Sequence, residues 1–399
     1  MSSRPEIAFV VQRYGPEITG GSESLARAVA ERLTAAYRIT VYTTCARDYV
    51  TWRNELPAGD SEVAGVRVRR FAVEEERDLD AFNRYSDELY GRARTHEEEI
   101  QWLRGQGPYT PALIEALEAE ASRYRAIVFF TYLYYPTYWG LRGAAAARSV
   151  LVPTTHDEPP LRFGIYDEVF ARARAFAFLT PAEEALVRAR FDLRGRPSAV
   201  AGMGVDVPAS VDAAAFRRKH GVDRPYALYA GRIDAGKGCA ELIAHYARYR
   251  ARGGTADLIL IGTLAMTLPP VPGLRHLGYL PEDEKHAALA GACVVVCPSP
   301  YESLSIALLE GFAVGTPGLV NAASAVLKEH CLRSNAGLFY GDGDEFAEAL
   351  QRLMDDPALR RALGDSGRRY VAASYRWDVV LDRYRALIEG VAEVSSPEA

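Results

Sequence analysis

Short runs of apolar, β-branched and aromatic residues alternate with longer amphipathic stretches along the first half of the chain. This alternation predicts parallel strands joined by helices, because each strand-length run is followed by enough residues for a crossover helix. The predicted strands cover residues 7–11, 39–43, 66–71, 126–130, 149–153 and 175–179. The predicted helices cover residues 22–36, 78–104, 111–122, 136–147 and 181–190.

The same pattern starts again in the second half. The predicted strands there cover 227–231, 257–262, 293–297 and 317–321, and the helices cover 238–252, 282–290, 304–313 and 344–354. Residues 202–212, between the halves, are rich in Gly, Pro and Asp and indicate a linker. We therefore predict an α/β protein of two doubly wound, Rossmann-like domains, 1–203 and 204–374, facing a central cleft at the carboxyl ends of their strands. The amphipathic segment 377–391 can pack on either domain.

Composition and charge constrain the partners. The 399 residues exceed the usual size of one core, and 49% hydrophobic with 25% charged residues is ordinary for a globular protein. A net charge of -5 and a pI near 5.9 give no general attraction to nucleic acid or anionic lipid. We expect no nucleic-acid partner and at most a peripheral membrane contact. Because no long apolar segment opens the chain or occurs within it, we expect a cytoplasmic protein.

The cysteines are few and scattered. Cys45, Cys239, Cys293, Cys297 and Cys331 lack the spacing of metal ligands. We expect reduced thiols, with Cys293 and Cys297 acting as small apolar residues around a buried strand.

The segment PYESLSIALLE, 300–310, places Glu302 and Glu310 across the predicted start of a helix. If the helix begins at Leu304, the two positions lie about 80° apart around its axis and about 12 Å apart along it. That distance exceeds the roughly 5 to 9.5 Å of a glycosidase carboxylate pair and suits two ends of one long polar ligand. The amides of Ser303, Leu304 and Ser305 would be free to bind phosphate or hydroxyl oxygens. The structural alternative makes Glu302 a favourable charge near a helix N-terminus and Glu310 a solvated residue.

The loop AGRIDAGKG, 230–238, lies between a predicted strand and a predicted helix. Arg232 and Lys237 share this loop with several glycines, among them Gly231, so both cations can converge on one anion that the backbone approaches closely. A diphosphate is the natural ligand, although the GxxxxGK[ST] spacing of a Walker loop is absent. The alternative is a pair of surface cations on an ordinary turn.

The segment TGGSES, 19–24, follows the first predicted strand and opens the first predicted helix. Gly20 and Gly21 would let a ligand approach the backbone, and Ser22 would cap the helix. A simple tight turn explains the same residues.

The segment TTHDEPP, 154–160, places His156 and Asp157 at the carboxyl end of a predicted strand. A histidine there can bond a sugar hydroxyl or make a structural bond. The aromatic segment 129–140 also passes a strand end, and its rings beyond Phe129 and Phe130 either stack on an acceptor or pack in the core. The stacking candidates are Tyr132, Tyr134, Tyr135, Tyr138 and Trp139, of which we select Tyr132 and Tyr135 together with Asp157 as acceptor contacts.

Two Asp-x-Asp matches, 78–80 and 342–344, follow a pattern that can hold a divalent metal carrying a nucleotide diphosphate. Neither follows a core strand in the expected way, so we interpret both as helix caps and predict no metal site.

Together these motifs resemble those of the retaining glycosyltransferases of the GT-B fold, family 4, also described as glycosyl transferases group 1. GRIDAGKG and PSPYESLSIALLEGFAVGTP, 298–317, are similar to the family's GR-x(4)-KG loop and Glu-x(7)-Glu signature, in the right order. TGGSES and the His-Asp pair match more weakly, and the resemblance covers nearly the whole chain.

The resemblance implies a role for each matching residue in the second domain. Glu302 would lie near the transferred sugar, Glu310 would bind the ribose hydroxyls, and the Ser303 to Ser305 amides would reach the sugar or phosphates. Arg232 and Lys237 would neutralise the diphosphate of the leaving nucleotide without a metal.

It also implies roles elsewhere. Gly231 would contact the donor, Gly20 and Gly21 would approach the phosphates and acceptor, and His156 would bond the donor sugar. In the segment 276–284, Tyr279 and Leu280 would contact the nucleobase. Domain 1–203 would bind the acceptor, with a closing helix, 375–392, crossing back to it, and domain 204–374 would bind the donor.

The implied activity is the metal-independent transfer of a hexose, with retention, from a nucleotide diphosphate sugar to a hydroxyl of a glycan, glycolipid or small-molecule glycoside. No cofactor is expected beyond this donor substrate. A nucleotide-sugar epimerase of the same fold and a non-catalytic sugar-nucleotide-binding subunit are the alternatives. Glu302-Ser303-Leu304-Ser305 stands where many relatives have Glu-Gly-Phe-Gly, which leaves the donor sugar open, and the charged insertion 74–108 leaves the acceptor open.

Overall fold

The computed structural model describes residues 4–18, 20–206, 208 and 210–395, and it confirms an α/β protein built on two largely parallel sheets. The chain divides into a first unit, Met1–Gly202 with Leu381–Ala399, and a second unit, Met203–Val380. Between them, the described residues of the segment 202–212 carry no helix or strand, while Val207 and Ala209 lie outside the described residues.

The first unit is centred on an eight-stranded sheet. Its strands are β1 (Glu6–Val10), β2 (Arg38–Thr44), β3 (Gly59–Val63), β4 (Val66–Phe71), β5 (Ala126–Phe130), β6 (Ser149–Val152), β7 (Ala175–Phe178) and β8 (Ser198–Val200). They lie in the order β3-β4-β2-β1-β5-β6-β7-β8, and neighbours are parallel except for the antiparallel edge pair β3–β4. Strand β5 is buried along its whole length, which explains its unbroken apolar sequence.

Helices cover the strands of this sheet. They are α1 (Gly21–Leu33), α2 (Leu79–Tyr90), α3 (His96–Gln106), α4 (Pro111–Glu120), α5 (Tyr135–Gly140), α6 (Ile165–Arg172) and α7 (Pro181–Arg190), with 3-10 turns at Ala121–Arg123, Ala144–Arg148 and Pro159–Arg162. The single helix predicted over 78–104 is wrong. Helix α2 ends at Tyr90, and a separate helix, α3, begins at His96. A capping box starts α3: the Thr95 side chain accepts from the Glu98 amide, and the Glu98 side chain accepts from the Thr95 amide.

The second unit is centred on a six-stranded parallel sheet. Its strands are β9 (Tyr226–Ala230), β10 (Asp257–Ile261), β11 (Leu274–His276), β12 (Val294–Cys297), β13 (Gly318–Asn321) and β14 (Gly337–Tyr340), in the order β11-β10-β9-β12-β13-β14. Its helices are α8 (Ala213–His220), α9 (Cys239–Ala251), α10 (Glu282–Gly291), α11 (Ile306–Val314), α12 (Ala325–Ser334), α13 (Gly343–Asp355) and α14 (Pro357–Ser374).

A last helix, α15 (Trp377–Ser395), begins in the second unit and continues in the first from Leu381 onward. In the first unit, the Tyr37 hydroxyl donates to Glu389 of this helix at 2.8 Å, and the Arg125 guanidinium donates to the same carboxylate at 2.8 Å. None of the helices in the described residues is both long and apolar enough to cross a bilayer.

The predicted helix caps are confirmed. Asp78 accepts from the Ala81 amide at 3.0 Å, and Asp342 accepts from the Asp344 and Glu345 amides at 2.8 and 2.9 Å. All five cysteines lie within the described residues and are free thiols.

Candidate functional site

The basic loop of the second unit leaves the carboxyl end of β9 and enters α9. Its Gly231 amide donates to Ile261 at 3.0 Å and its Ile233 amide to Thr263 at 2.9 Å, so the loop is held beside the end of β10. Asp234 shapes the turn by accepting from the Lys237 amide at 2.8 Å. It also forms an ion pair with the Arg232 guanidinium. The two cations are thereby carried on a braced turn with a single acidic residue between them.

Gly238 ends this loop in the left-handed region, with a φ of 72°. A Cβ at this position would lie 2.5 Å from the carbonyl oxygen of Pro298, which lies four residues before Glu302. The two segments therefore approach more closely than a side chain would permit.

We expect Gly238→Ala to lower the free energy of unfolding by at least about 1–2 kcal/mol, because it adds left-handed strain and a backbone clash. Gly236→Ala is the matched control, since its Cβ would meet only Asp234 Oδ1 at 3.4 Å. Urea unfolding of both variants is the measurement. Equal stabilities would contradict the close approach.

Lys237 and Glu302 lie in direct contact. The Nζ atom of Lys237 is 2.7 Å from Oε1 of Glu302, and both side chains are partly buried. The sequence places these residues on separate loops, after β9 and β12, and the fold brings the two loops together at neighbouring strands of the sheet. The Lys237 ammonium and the Glu302 carboxylate therefore form an ion pair in which each charge compensates the other.

The helix after Glu302 begins later than predicted. α11 starts at Ile306 because Ser305 takes a left-handed φ of 66°, so Glu302 lies on an irregular segment and the helical angle and rise between the two glutamates do not apply. The first bond of the helix runs from the Leu309 amide to the Ser305 carbonyl at 3.3 Å. The N-terminal helical donors are therefore the amides of Ile306 to Leu308, one turn beyond the predicted Ser303 to Ser305.

Glu310 is buried on α11, so the alternative of a solvated residue is wrong. Its Oε1 accepts from Lys285 Nζ at 2.8 Å, and Lys285 also bonds Glu282 at 2.7 Å. Burial raises the pKa of Glu310, and the Lys285 ammonium opposes that rise. Ligand atoms of Glu282, His286 and Glu310 lie within 4.8 Å of one another, but the Lys285 ammonium already bonds both carboxylates of this group.

The two predicted base-contacting residues differ in exposure. Tyr279 is 72% exposed and presents its ring freely, whereas Leu280 is 8% exposed and packs inward. The segment before them is anchored by the Leu277 amide, which donates to Leu260 at 3.0 Å. Tyr279 is thus the member of the pair that is available for stacking.

In the first unit, Gly20 occupies the N-cap position of α1 and Thr19 lies outside the described residues. The predicted Ser22 cap is wrong, because Ser22 is inside the helix and its hydroxyl donates to Glu23 at 3.0 Å. A Cβ on Gly20 would lie 2.3 Å from Oε2 of Glu23, which is itself ion-paired with Arg13, whereas Gly21 faces open space. Gly20 is therefore required by packing, and Gly21 is the residue open to a ligand.

His156 and Asp157 follow β6. His156 Nδ1 lies 3.2 Å from Glu158 Oε1, and Asp157 is exposed and pairs with Arg162 at 2.9 Å. Tyr132 donates its hydroxyl to the same Glu158 oxygen at 2.8 Å. His156 and Tyr132 thus share one carboxylate.

The prediction that Tyr132 and Tyr135 stack on an acceptor is wrong. Tyr132 is fully buried against Tyr166, with ring centroids 4.8 Å apart, and Tyr135 is buried beside Tyr109 at 5.1 Å. Tyr132 also packs beside Phe170, with ring centroids 5.9 Å apart, and belongs to the hydrophobic core of the first unit.

The backbone before His156 is hydrogen-bonded to the side chain of Glu183, a buried residue that lies in none of the sequence motifs described above. Its Oε1 accepts from the Thr155 amide and its Oε2 from the Leu179 amide, both at 2.6 Å. Burial raises the pKa of Glu183 to about 8, although both amides lower it.

We expect Glu183 to make stability fall with rising pH. Its folded pKa exceeds the value of about 4.3 for an unfolded chain, so its contribution is complete below that value and is lost as the pH rises towards 8, by at most about 1.4 kcal/mol per pH unit. Urea unfolding between pH 6 and pH 9 is the measurement, with Glu183→Gln as the variant whose slope should be flatter. Equal slopes in the two proteins would contradict this assignment.

Comparison with known proteins adds three findings. Residues 212–370 match the family described as glycosyl transferases group 1. The MMP alpha-(1->4)-mannosyltransferase of Mycolicibacterium hassiacum is 30% identical over 206 residues, which is 48% of this chain and 49% of that protein. The alpha-D-kanosaminyltransferase of Streptomyces kanamyceticus is 28% identical over 43% of this chain and 45% of that protein, so the chain spans about half the length of the curated relatives it matches.

Solved structures of other proteins superpose on nearly the whole length of this chain. Sucrose-phosphate synthase from Thermosynechococcus elongatus superposes with a TM-score of 0.72 at 20% identity, covering 98% of this chain and 100% of that one. A trehalose-6-phosphate protein from E. coli bound with UDP-2-fluoro glucose has a TM-score of 0.69 at 13% identity, covering 97% and 99%. The chain therefore has the GT-B fold.

Proposed function

We propose that this protein transfers a hexose from a nucleoside diphosphate sugar to a hydroxyl acceptor. The premise is the match of residues 212–370 to the group 1 glycosyl transferases. The observation that carries the proposal is the contact of 2.7 Å between Lys237 and Glu302, on two loops at the carboxyl ends of adjacent strands. Ligands of doubly wound sheets bind at such strand ends.

The chemistry of these loops suits a departing diphosphate. Arg232 and Lys237 supply two positive charges, and the first amides of α11 supply neutral donors that favour anions. Negative charge grows on the diphosphate as the bond to the sugar breaks, so donors fixed in advance stabilise the transition state more than the ground state. Glu302, beside Lys237, is in our proposal the carboxylate nearest the transferred sugar.

Glu310 and Tyr279 complete the proposed donor site. A carboxylate can accept from both hydroxyls of a ribose, and the Lys285 ammonium, 2.8 Å from Glu310, opposes the rise that burial causes in the pKa of Glu310. Tyr279 offers an exposed ring for a nucleobase. A structural neighbour binds a UDP sugar, which supports testing uridine donors first.

We further propose that the anomeric configuration is retained and that His156 bonds the donor sugar. No residue stands out in the sequence as a covalent nucleophile, so our proposal is attack from the leaving-group face, assisted by the phosphate. The proposed acceptor contact that remains is Asp157, because it is exposed.

The test is an assay of nucleotide release with UDP-glucose, UDP-galactose, GDP-mannose and ADP-glucose, each with and without a panel of glycosides as acceptors. The proposal predicts release that depends on acceptor, with NMR showing an α-linkage from an α-donor. Conversion of a donor with no acceptor present would instead indicate an epimerase. Tight donor binding with no turnover under any condition would indicate a binding subunit.

Metal independence gives a separate prediction. We expect full activity in excess EDTA, because Lys237 and Arg232 supply the positive charge that a divalent ion supplies in metal-dependent enzymes. The control is the same assay with added magnesium or manganese, which should leave the rate unchanged. Activity lost in EDTA and restored by manganese would contradict the expectation.

A further inference from the structure

His330 is a buried histidine of α12 whose two ring nitrogens both have partners. Nε2 lies 2.9 Å from the carbonyl oxygen of Leu304, and Nδ1 lies 3.0 Å from the hydroxyl of Tyr370 on α14. A carbonyl oxygen can only accept, so Nε2 carries a proton, and in the neutral ring Nδ1 then accepts from the Tyr370 hydroxyl. The ring is thus held in one neutral tautomer by its two neighbours.

A second tyrosine extends this arrangement. The hydroxyls of Tyr370 and Tyr375 lie 3.4 Å apart, and the His330 ring packs against both rings with centroids 5.9 and 5.8 Å away. Burial lowers the pKa of His330 to about 4, so the ring stays neutral at ordinary pH. The donors then point in one direction, from Tyr370 through His330 to the Leu304 carbonyl.

Leu304 lies in the middle of the segment that the proposed donor site uses. It separates Glu302 from Ser305, the residue whose left-handed φ of 66° sets the start of α11. A left-handed non-glycine residue costs free energy and persists where surrounding contacts hold it. The bond from His330 is such a contact, because it fixes the carbonyl immediately before Ser305.

We propose that His330, braced by Tyr370, is a positioning residue for the segment 302–305 and for the first turn of α11. The inference rests on the proposed function for its effect on catalysis, but the positioning itself is a property of the free protein. His330 touches neither donor nor acceptor in this account. It acts by fixing the Leu304 carbonyl and hence the directions of the Glu302 side chain and the following amides.

The test uses a pair of variants that separate the two nitrogens. The amide nitrogen of glutamine can occupy the place of Nε2, so His330→Gln should keep the bond to Leu304, whereas His330→Asn reaches only the place of Nδ1 and His330→Leu reaches neither. Leu327→Ala is the control, since Leu327 is fully buried on the same helix and its truncation is a large core deletion.

The first readout is hydrogen exchange of the peptide covering 302–308 in the protein without ligand. We expect faster exchange in His330→Leu and His330→Asn, near wild-type exchange in His330→Gln, and no local change in Leu327→Ala beyond its overall loss of stability. Wild-type exchange in His330→Leu, or the same local increase in Leu327→Ala at matched stability, would overturn the proposal.

The second readout is UDP affinity by calorimetry together with kcat and KM. We expect His330→Leu to weaken UDP binding by about tenfold and to lower kcat as well, and His330→Gln to restore most of both. Equal losses in the Leu and Gln variants would overturn the positioning role. If wild-type protein neither binds UDP nor transfers sugar, the proposed function fails, while the exchange experiment still decides whether His330 positions this segment.

Discussion

Replacing Lys237 by alanine is expected to lower kcat/KM by more than about tenfold without unfolding the protein. The change removes a cation from the proposed diphosphate site and leaves the Glu302 carboxylate, now 2.7 Å from that ammonium, without its partner. An uncompensated carboxylate beside a diphosphate repels it, so the loss includes both a missing attraction and a new repulsion. The measurement is steady-state kinetics, with circular dichroism to confirm folding.

The matched control is Lys219→Ala. Lys219 also pairs with a glutamate, Glu284, but this pair is exposed and lies on other elements of the same unit. We expect unchanged kinetics there, because exposed ion pairs contribute little.

Arg232→Ala and Glu302→Ala should each also lower kcat/KM by more than about tenfold. The double variant Lys237→Ala/Glu302→Ala should lose less activity than the two single losses combined. Wild-type rates in Lys237→Ala would end the assignment of this loop to the diphosphate.

Replacing Glu310 by alanine is expected to weaken nucleoside diphosphate binding by about tenfold to a hundredfold and to abolish selection for ribose. The buried carboxylate is proposed to accept from the 2′ and 3′ hydroxyls, so wild-type protein should bind UDP more tightly than 2′,3′-dideoxy-UDP. Glu310→Ala should bind both with the same weak affinity. Calorimetry with the two nucleotides is the measurement.

Glu282→Ala is the control for this experiment. Glu282 is the other partner of Lys285 but is exposed, so its loss disturbs the same lysine without removing the proposed ribose contact. We expect it to keep both the affinity and the preference for ribose. A Glu310→Ala variant that still prefers UDP over the dideoxy nucleotide would show that Glu310 is structural.

Buried strands were the part of the fold that the sequence predicted well. Strand β5 is an unbroken apolar run in the interior of its sheet and is buried along its whole length, and Phe129 and Phe130 are buried as predicted. The edge strands β11 and β14 are three and four residues long and only partly buried, and neither was predicted: β11 is Leu-Arg-His without an apolar run, and the Leu-Phe-Tyr of β14 is short. Edge position, which depends on the whole sheet, decides this difference.

The predicted helix boundaries were wrong where local backbone conformation, and not the apolar pattern, decided where a helix begins. Thr95 and Glu98 form a capping box whose Thr-x-x-Glu signature is visible in the sequence, and it could have predicted the break between α2 and α3. The late start of α11 could not have been predicted this way. It depends on a left-handed serine, and nothing in the residue type of Ser305 favours that conformation.

In the candidate site, too, some features could be predicted from local sequence and others could not. The spacing of glycines and cations marks the loop 231–238, and the strand before it places that loop at the carboxyl edge of the sheet. The residues that hold Glu310 and Leu304 in place come from distant parts of the chain. Lys285 reaches Glu310 from α10 and His330 reaches Leu304 from α12, and neither lies in a recognisable motif. Such contacts follow from tertiary packing, which local sequence does not specify.

A crystal structure of the protein with bound UDP would test the proposed donor site directly. We expect the diphosphate to lie within about 3.2 Å of Lys237 Nζ and beside Arg232, with the ribose hydroxyls bonded to Glu310. UDP bound away from the loop 231–238, or bound with its diphosphate facing none of these side chains, would contradict it.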